Sequence, residues 1–152
     1  SLNKQAAYQG YFADCYVLSA KRNVEFLNAF IQRFVPKGRV ILSCAPGSDE
    51  PFSESLDSVL NHLAANSDAP YKIYIEQADD SGFRGAQLFF TRDGQVILGV
   101  YCETMHPNTT IEDRFFSELK EFTGEERGFI GYEEEMPFDS EAFTQRMNRV
   151  TQ

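Results

Sequence analysis

Tryptophan is absent, histidine occurs twice and cysteine three times in 152 residues, and each scarcity removes a class of function. With only His62 and His106 available, most catalytic templates that need an imidazole base lose their players before geometry is considered. Cys15, Cys44 and Cys102 are an odd number at wide spacing, and none belongs to a C-x-x-C pair. Neither a disulfide framework nor a zinc ribbon is indicated, and reduced, partly buried thiols are expected. Long apolar runs are missing too: the longest are a few residues, far short of the roughly 20 that span a bilayer. No basic n-region followed by an apolar h-region opens the chain, so the reading is cytoplasmic, with no membrane contact. The chain starts Ser1-Leu2 without methionine, which reads as an added or trimmed terminus from which an upstream signal could have been removed, and residues 1–10 are expected to be disordered or partly an added segment.

Phosphate-cradling loops are also lacking. The glycines of Gly82-Phe83-Arg84-Gly85 and Gly128-Phe129-Ile130-Gly131 match neither the Walker spacing nor the dinucleotide fingerprint, and they read as turns or strand kinks. The stretch from Ser43 to Ser48 contains no nucleophile elbow. No cofactor and no metal site is expected. Positive charge is the last shortage: 14 Lys and Arg face 23 Asp and Glu, a formal charge of -9. Such a field repels phosphates, which argues against nucleic acid, and it speeds encounter with a basic protein partner. The same excess of acid also serves plain solubility.

What the chain has in quantity is aromatic carbon, 14 Phe and 7 Tyr, enough to dominate the energetics of a buried core. Apolar spacing divides the chain into elements. A strand is predicted over 13–19, and from Asn23 the period changes to that of a helix, with Val24, Leu27, Ile31 and Phe34 on one stripe and Asn23 or Ser19 as its cap. Pro36 and Gly38 end it. A short strand at 40–42 leads through turn residues to a helix from about Ser55, carrying Leu56, Val59, Leu60 and Leu63. Tyr71, Ile73 and Ile75 alternate with polar partners, and segments 87–91 and 95–101 flank Arg92-Asp93-Gly94, a hairpin signal. These three strands predict an antiparallel meander, with 78–85 as a connecting loop. Thr110 with Asp113 reads as a partial capping box for a third helix ending at Gly124. A strand at 128–132 and a terminal helix around Phe143, Met147 and Val150 complete one α+β domain over 1–152, with a mixed or antiparallel sheet and helices mainly on one face.

Candidate chemistry is thin. His106, in the loop 103–108, lies four residues after Cys102 and three after Glu103. The three could serve a small hydrolase or transferase, with the imidazole as base and the thiol or carboxylate beside it. Against this, Cys102 continues the alternation of Val96, Leu98 and Val100, which predicts an inward thiol packing as a small apolar group. His62 sits on the amphipathic second helix, where a helix-edge histidine needs no ligand role. Carboxylates at Asp79, Asp80, Glu133, Glu134 and Glu135 form a candidate binding surface for a basic partner, although abundant acids also make a solvated edge. In size and charge, not in any motif, the chain is comparable to small acidic α+β immunity or inhibitor domains. Tyr74, Ile97 and Tyr101 fall on the strand face opposite the core set. That face needs cover, either from a second copy in a homodimer or from the N-terminal segment or the terminal helix.

Overall fold

The strands assemble into one six-stranded sheet in the order β2-β3-β4-β5-β1-β6, and its middle strands are buried almost along their whole length because apolar side chains are covered on both faces. The computed structural model describes residues 12–48, 54–132 and 135–151. The strands are β1 (Phe12–Ser19), β2 (Arg39–Cys44), β3 (Tyr71–Glu76), β4 (Phe83–Phe90), β5 (Val96–Glu103) and β6 (Gly128–Tyr132). The helices are α1 (Val24–Phe34), α2 (Leu56–Ala65), α3 (Thr110–Thr123) and α4 (Ser140–Val150). All neighbouring strands are antiparallel, which resolves the mixed-or-antiparallel expectation. The meander of β3, β4 and β5 is present as predicted. β1 docks on its far side, against β5 and β6, because its apolar residues alternate to both faces.

Two apolar layers result. Helices α1, α2 and α3 cover one face, where Leu27, Phe30, Leu60, Leu63, Phe115 and Leu119 meet strand residues such as Val17, Leu88 and Val100. Burying each large apolar side chain contributes about 2 kcal/mol or more, so this layer supplies most of the driving force. The second face carries a smaller cluster in which Tyr16, Leu18, Phe89, Ile97 and Phe129 lie against Met136 and Phe143 of the C-terminal segment. Ile97, grouped with the open face in the sequence reading, is fully buried there. Tyr74 and Tyr101 remain half-buried.

Helix ends follow local chemistry. Asn23 caps α1 through a bond from the Phe26 amide at 2.9 Å, Ser55 caps α2 through the Ser58 amide at 3.2 Å, and Asp139 caps α4 through the Ala142 amide at 2.9 Å. Gly124 ends α3 with φ +70°, a left-handed conformation that glycine adopts without a Cβ penalty. Two details differ from the sequence reading. β4 begins at Phe83, inside the predicted loop 78–85, since a register shift between Phe83 and Gly85 breaks the alternation that would have revealed it. The N-cap of α3 is Thr109 rather than Thr110, and Thr109 spends its hydroxyl on Asp113 at 2.7 Å instead of on a backbone amide.

Arg22 closes one end of the sheet. Its guanidinium donates to the carbonyls of Leu63 (3.1 Å), Thr91 (2.7 Å), Gln95 (3.1 Å), Asn66 (3.1 Å) and Ala69 (2.7 Å), and it stacks over the Phe90 ring. One buried side chain thereby ties the end of α2, the start of β3 and the β4–β5 turn. Its burial lowers its pKa from the ordinary guanidinium value, and the carbonyls compensate the lost hydration.

Candidate functional site at the far end of the sheet

At the end opposite Arg22, three pieces of chain converge because antiparallel pairing brings the end of β5, the end of β6 and the β3–β4 connection to the same level. Glu103 pairs in register with Phe12, and Ala13 with Tyr132. The Glu103 amide donates to the Gly82 carbonyl at 2.9 Å, and the Gly82 backbone lies against Ile111 of α3. The turn after β5 holds Met105 and His106, with a bond from the Asn108 amide to the Met105 carbonyl at 3.0 Å and a cis peptide at His106-Pro107. The His106 amide donates to Thr104 Oγ1 at 3.0 Å. Asn108 then accepts from the Thr110 amide at 3.0 Å and starts α3.

The centre of this end is Glu112, which is fully buried. Its Oε2 accepts from Thr104 Oγ1 at 2.6 Å and from the Tyr132 hydroxyl at 2.7 Å. Its Oε1 has no hydrogen-bond partner, and among the described residues no lysine or arginine forms an ion pair with it. A buried carboxylate without a counter-cation is costly, and an oxygen left without a donor adds to the cost. Tyr132 lies over it, 38% exposed, with its ring edge-on to His106 at 5.0 Å between centroids. Met105, next to His106 in sequence, is 44% exposed. Burial first, then the bond to Glu112 and the charges of Glu112 and Asp113, push the Tyr132 phenol well above its ordinary pKa, so it stays a neutral donor.

The residues singled out from the sequence fall into distinct settings. Cys102 is fully buried, its thiol aimed at the Ala13 carbonyl at 3.8 Å. The neighbouring Cys15 thiol contacts the Glu112 carbonyl at 3.4 Å, and a hydrogen bond with Cys102 together with burial raises its pKa far above the usual thiol range. Glu103, one residue on from Cys102, therefore projects to the opposite face, where it pairs with Arg84 at 3.3 Å. His106 is exposed on Tyr132. The structure thus gives the thiol, the carboxylate and the imidazole three separate environments. Asp79 and Asp80 are exposed on the β3–β4 connection at this same end, and Asp79 accepts from the Ser81 amide at 2.8 Å. Glu135 lies elsewhere: it lines an open groove of about 490 Å³ with Arg146, Arg149 and Val150, and its charge helps raise the Tyr74 phenol, after burial and the charges of Asp14 and Cys44. Glu133 and Glu134 lie outside the described residues, as do residues 1–10. His62 is exposed on α2, within 3.3 Å of the Asn66 side chain.

Among the described residues, no three His, Cys, Asp or Glu side chains gather as a metal site, and no helix is long and apolar enough to cross a membrane. Sequence reasoning passed over Glu112, Thr104 and Tyr132. A signal existed, since Thr109-x-x-Glu112 has capping-box spacing. The Glu112 side chain, however, turns inward to hydroxyls from β5 and β6 that no local pattern announces. No protein-family model matches this chain, and no curated protein or solved structure matches it either.

Proposed function

We propose that this chain is a protein-binding domain that meets a basic partner through the end of the sheet formed by Asp79, Asp80, Met105, His106, Asp113 and Tyr132. The observation that carries the reading is the exposed Tyr132, seated over a buried carboxylate with the His106 ring against it. Interfaces concentrate their energy in such anchors, because a tyrosine ring offers a large apolar area with few rotatable bonds to immobilise. Acidic side chains around the anchor match the net charge of -9 and steer a cationic partner towards it. Local geometry favours binding over catalysis. The Cys102 thiol is sealed in the core, Glu103 is neutralised by Arg84, and His106 faces an aromatic ring.

The test is capture from native lysate at low salt, followed by elution at about 0.5 M salt, where the Debye length falls to roughly 4 Å. A specific partner is expected to be retained, released by salt, and lost with Tyr132→Ala or with the pair Asp79→Lys and Asp113→Lys. Asp68→Lys, near the Arg22 end, should leave retention intact. Retention that survives the first substitutions, or a partner indifferent to salt, would overturn the reading.

A further inference from the structure

Glu112 is an unusual element in such an anchor. A structural network would give both carboxylate oxygens donors, as the Arg22 end gives its guanidinium five acceptors. Here Oε2 receives two hydroxyls while Oε1, equally buried, receives none. The charged groups that act on its neighbours Cys15 and Tyr132, besides the two cysteines and Glu112 itself, are the carboxylates of Asp14 and Asp113. What overlies the carboxylate is a side chain at the surface, since Tyr132 is 38% exposed and its ring meets the exposed His106 ring edge-on.

From this geometry we infer that Glu112 is the receptor for a cationic side chain of the partner, an arginine guanidinium above all, and that Tyr132 is the gate. A planar guanidinium can address both carboxylate oxygens at once, which the single phenol cannot. On entry the phenol gives up its bond to Oε2 and the ring swings towards solvent and His106. The partner's charge then compensates a carboxylate that folding left without a cation. This inference rests on the protein-binding reading and names the group that the partner brings.

The experiment uses the full chain, with N-acetyl-argininamide as probe and its uncharged urea analogue, N-acetyl-citrullinamide, as control. Chemical shifts of His106, Thr104 and residue 132 are followed in the wild-type chain and in Tyr132→Phe and Glu112→Gln, with thermal unfolding to verify that each variant is folded. The expected result is a saturable shift with the guanidinium and none with the urea. Tyr132→Phe should bind about tenfold tighter, the worth of the competing hydrogen bond that the phenol no longer offers. Glu112→Gln should lose the response. A purely structural Tyr132–Glu112 contact makes the opposite forecast, with no gain in Tyr132→Phe. An unchanged response in Glu112→Gln, an equal response to the urea, or silence in both wild type and Tyr132→Phe would overturn the inference. If a partner captured from lysate is lost with Asp79→Lys and Asp113→Lys but not with Glu112→Gln, the acidic-surface reading stands and the guanidinium receptor falls.

Discussion

The two ends of this sheet each bury a charged side chain, and they treat it in opposite ways. Arg22 meets five backbone carbonyls and an aromatic face, so its charge is spent on holding elements together. Glu112 meets two hydroxyls and keeps one oxygen without a donor. The Arg22 end also leaves one atom unmatched, the Oε1 of Gln95, but a neutral amide oxygen costs less to bury than half of a carboxylate. A fully matched buried charge marks scaffold, and a partly matched one beside exposed aromatic and sulfur-bearing side chains marks a surface prepared for something else.

The sharpest way to break this comparison is to remove Arg22. Arg22→Met retains apolar volume and strands several buried carbonyls, so a loss of about 4 kcal/mol is expected in urea unfolding. A midpoint close to wild type would show that the carbonyls find water instead, and that this end is no tighter than the other. Glu112 should respond less and in a pattern of its own. Glu112→Ala leaves the hydroxyls of Thr104 and Tyr132 unmatched and should cost about 2 kcal/mol, whereas Glu112→Gln keeps an acceptor, removes the buried charge and should stay within about 1 kcal/mol of wild type. If the glutamine variant is as unstable as the alanine one, the carboxylate is a structural necessity and the contrast between the ends fails.

Alkaline pH probes the face between the two ends. Burial first, then the charges of Glu76 and Asp14, push the Tyr101 phenol up to about 12. The folded state therefore favours the protonated phenol more than the unfolded chain does, whose tyrosines titrate near 10. The resulting stability is complete below about pH 10 and is lost as pH rises through about 12. Tyr16, Tyr74 and Tyr132 are raised as well and add in the same sense. Melting temperature should fall steadily across that interval, in step with phenolate absorbance, and Tyr101→Phe should make the fall shallower. A flat profile would mean that water reaches the phenol. The smallest expected effects lie at the helix caps. Asn23→Ala should cost about 1 kcal/mol, whereas Thr109→Ala should cost less, because Thr109 makes no side-chain bond to a backbone amide. Equal losses in thermal melts would show that its contact with Asp113 matters as much as a true cap.

How much of this was legible beforehand varies with the range of the interaction. Segment 23–35 declared a helix, its cap and its stop within a few residues, and the hairpin around Gly94 did the same through a turn that needs a positive φ, here +90°. Phe83 to Gly85 did not read as strand, because a shifted register hides the period-two pattern. At the candidate site, His106 and Asp79 were legible as loop residues with reactive or charged side chains. Glu112 was not, since as a polar residue near a helix start it has the same local signature as a solvated one.

The amino-acid sequence by itself determined the α+β class, the antiparallel meander, the amphipathic helices and the acidic field, all of which depend on neighbours a few residues apart or on composition alone. Only the tertiary structure decided that β1 inserts between β5 and β6, that α4 covers Tyr16 and Phe129, and that Thr104, Glu112 and Tyr132 share one carboxylate. Those outcomes join residues from 8 to 20 positions apart at the carboxylate and more than a hundred apart where β1 pairs with β6 and where Arg127 reaches Leu18. The reason is physical: periodicity states which face of an element seeks cover, but which partner supplies it depends on how the whole sheet closes.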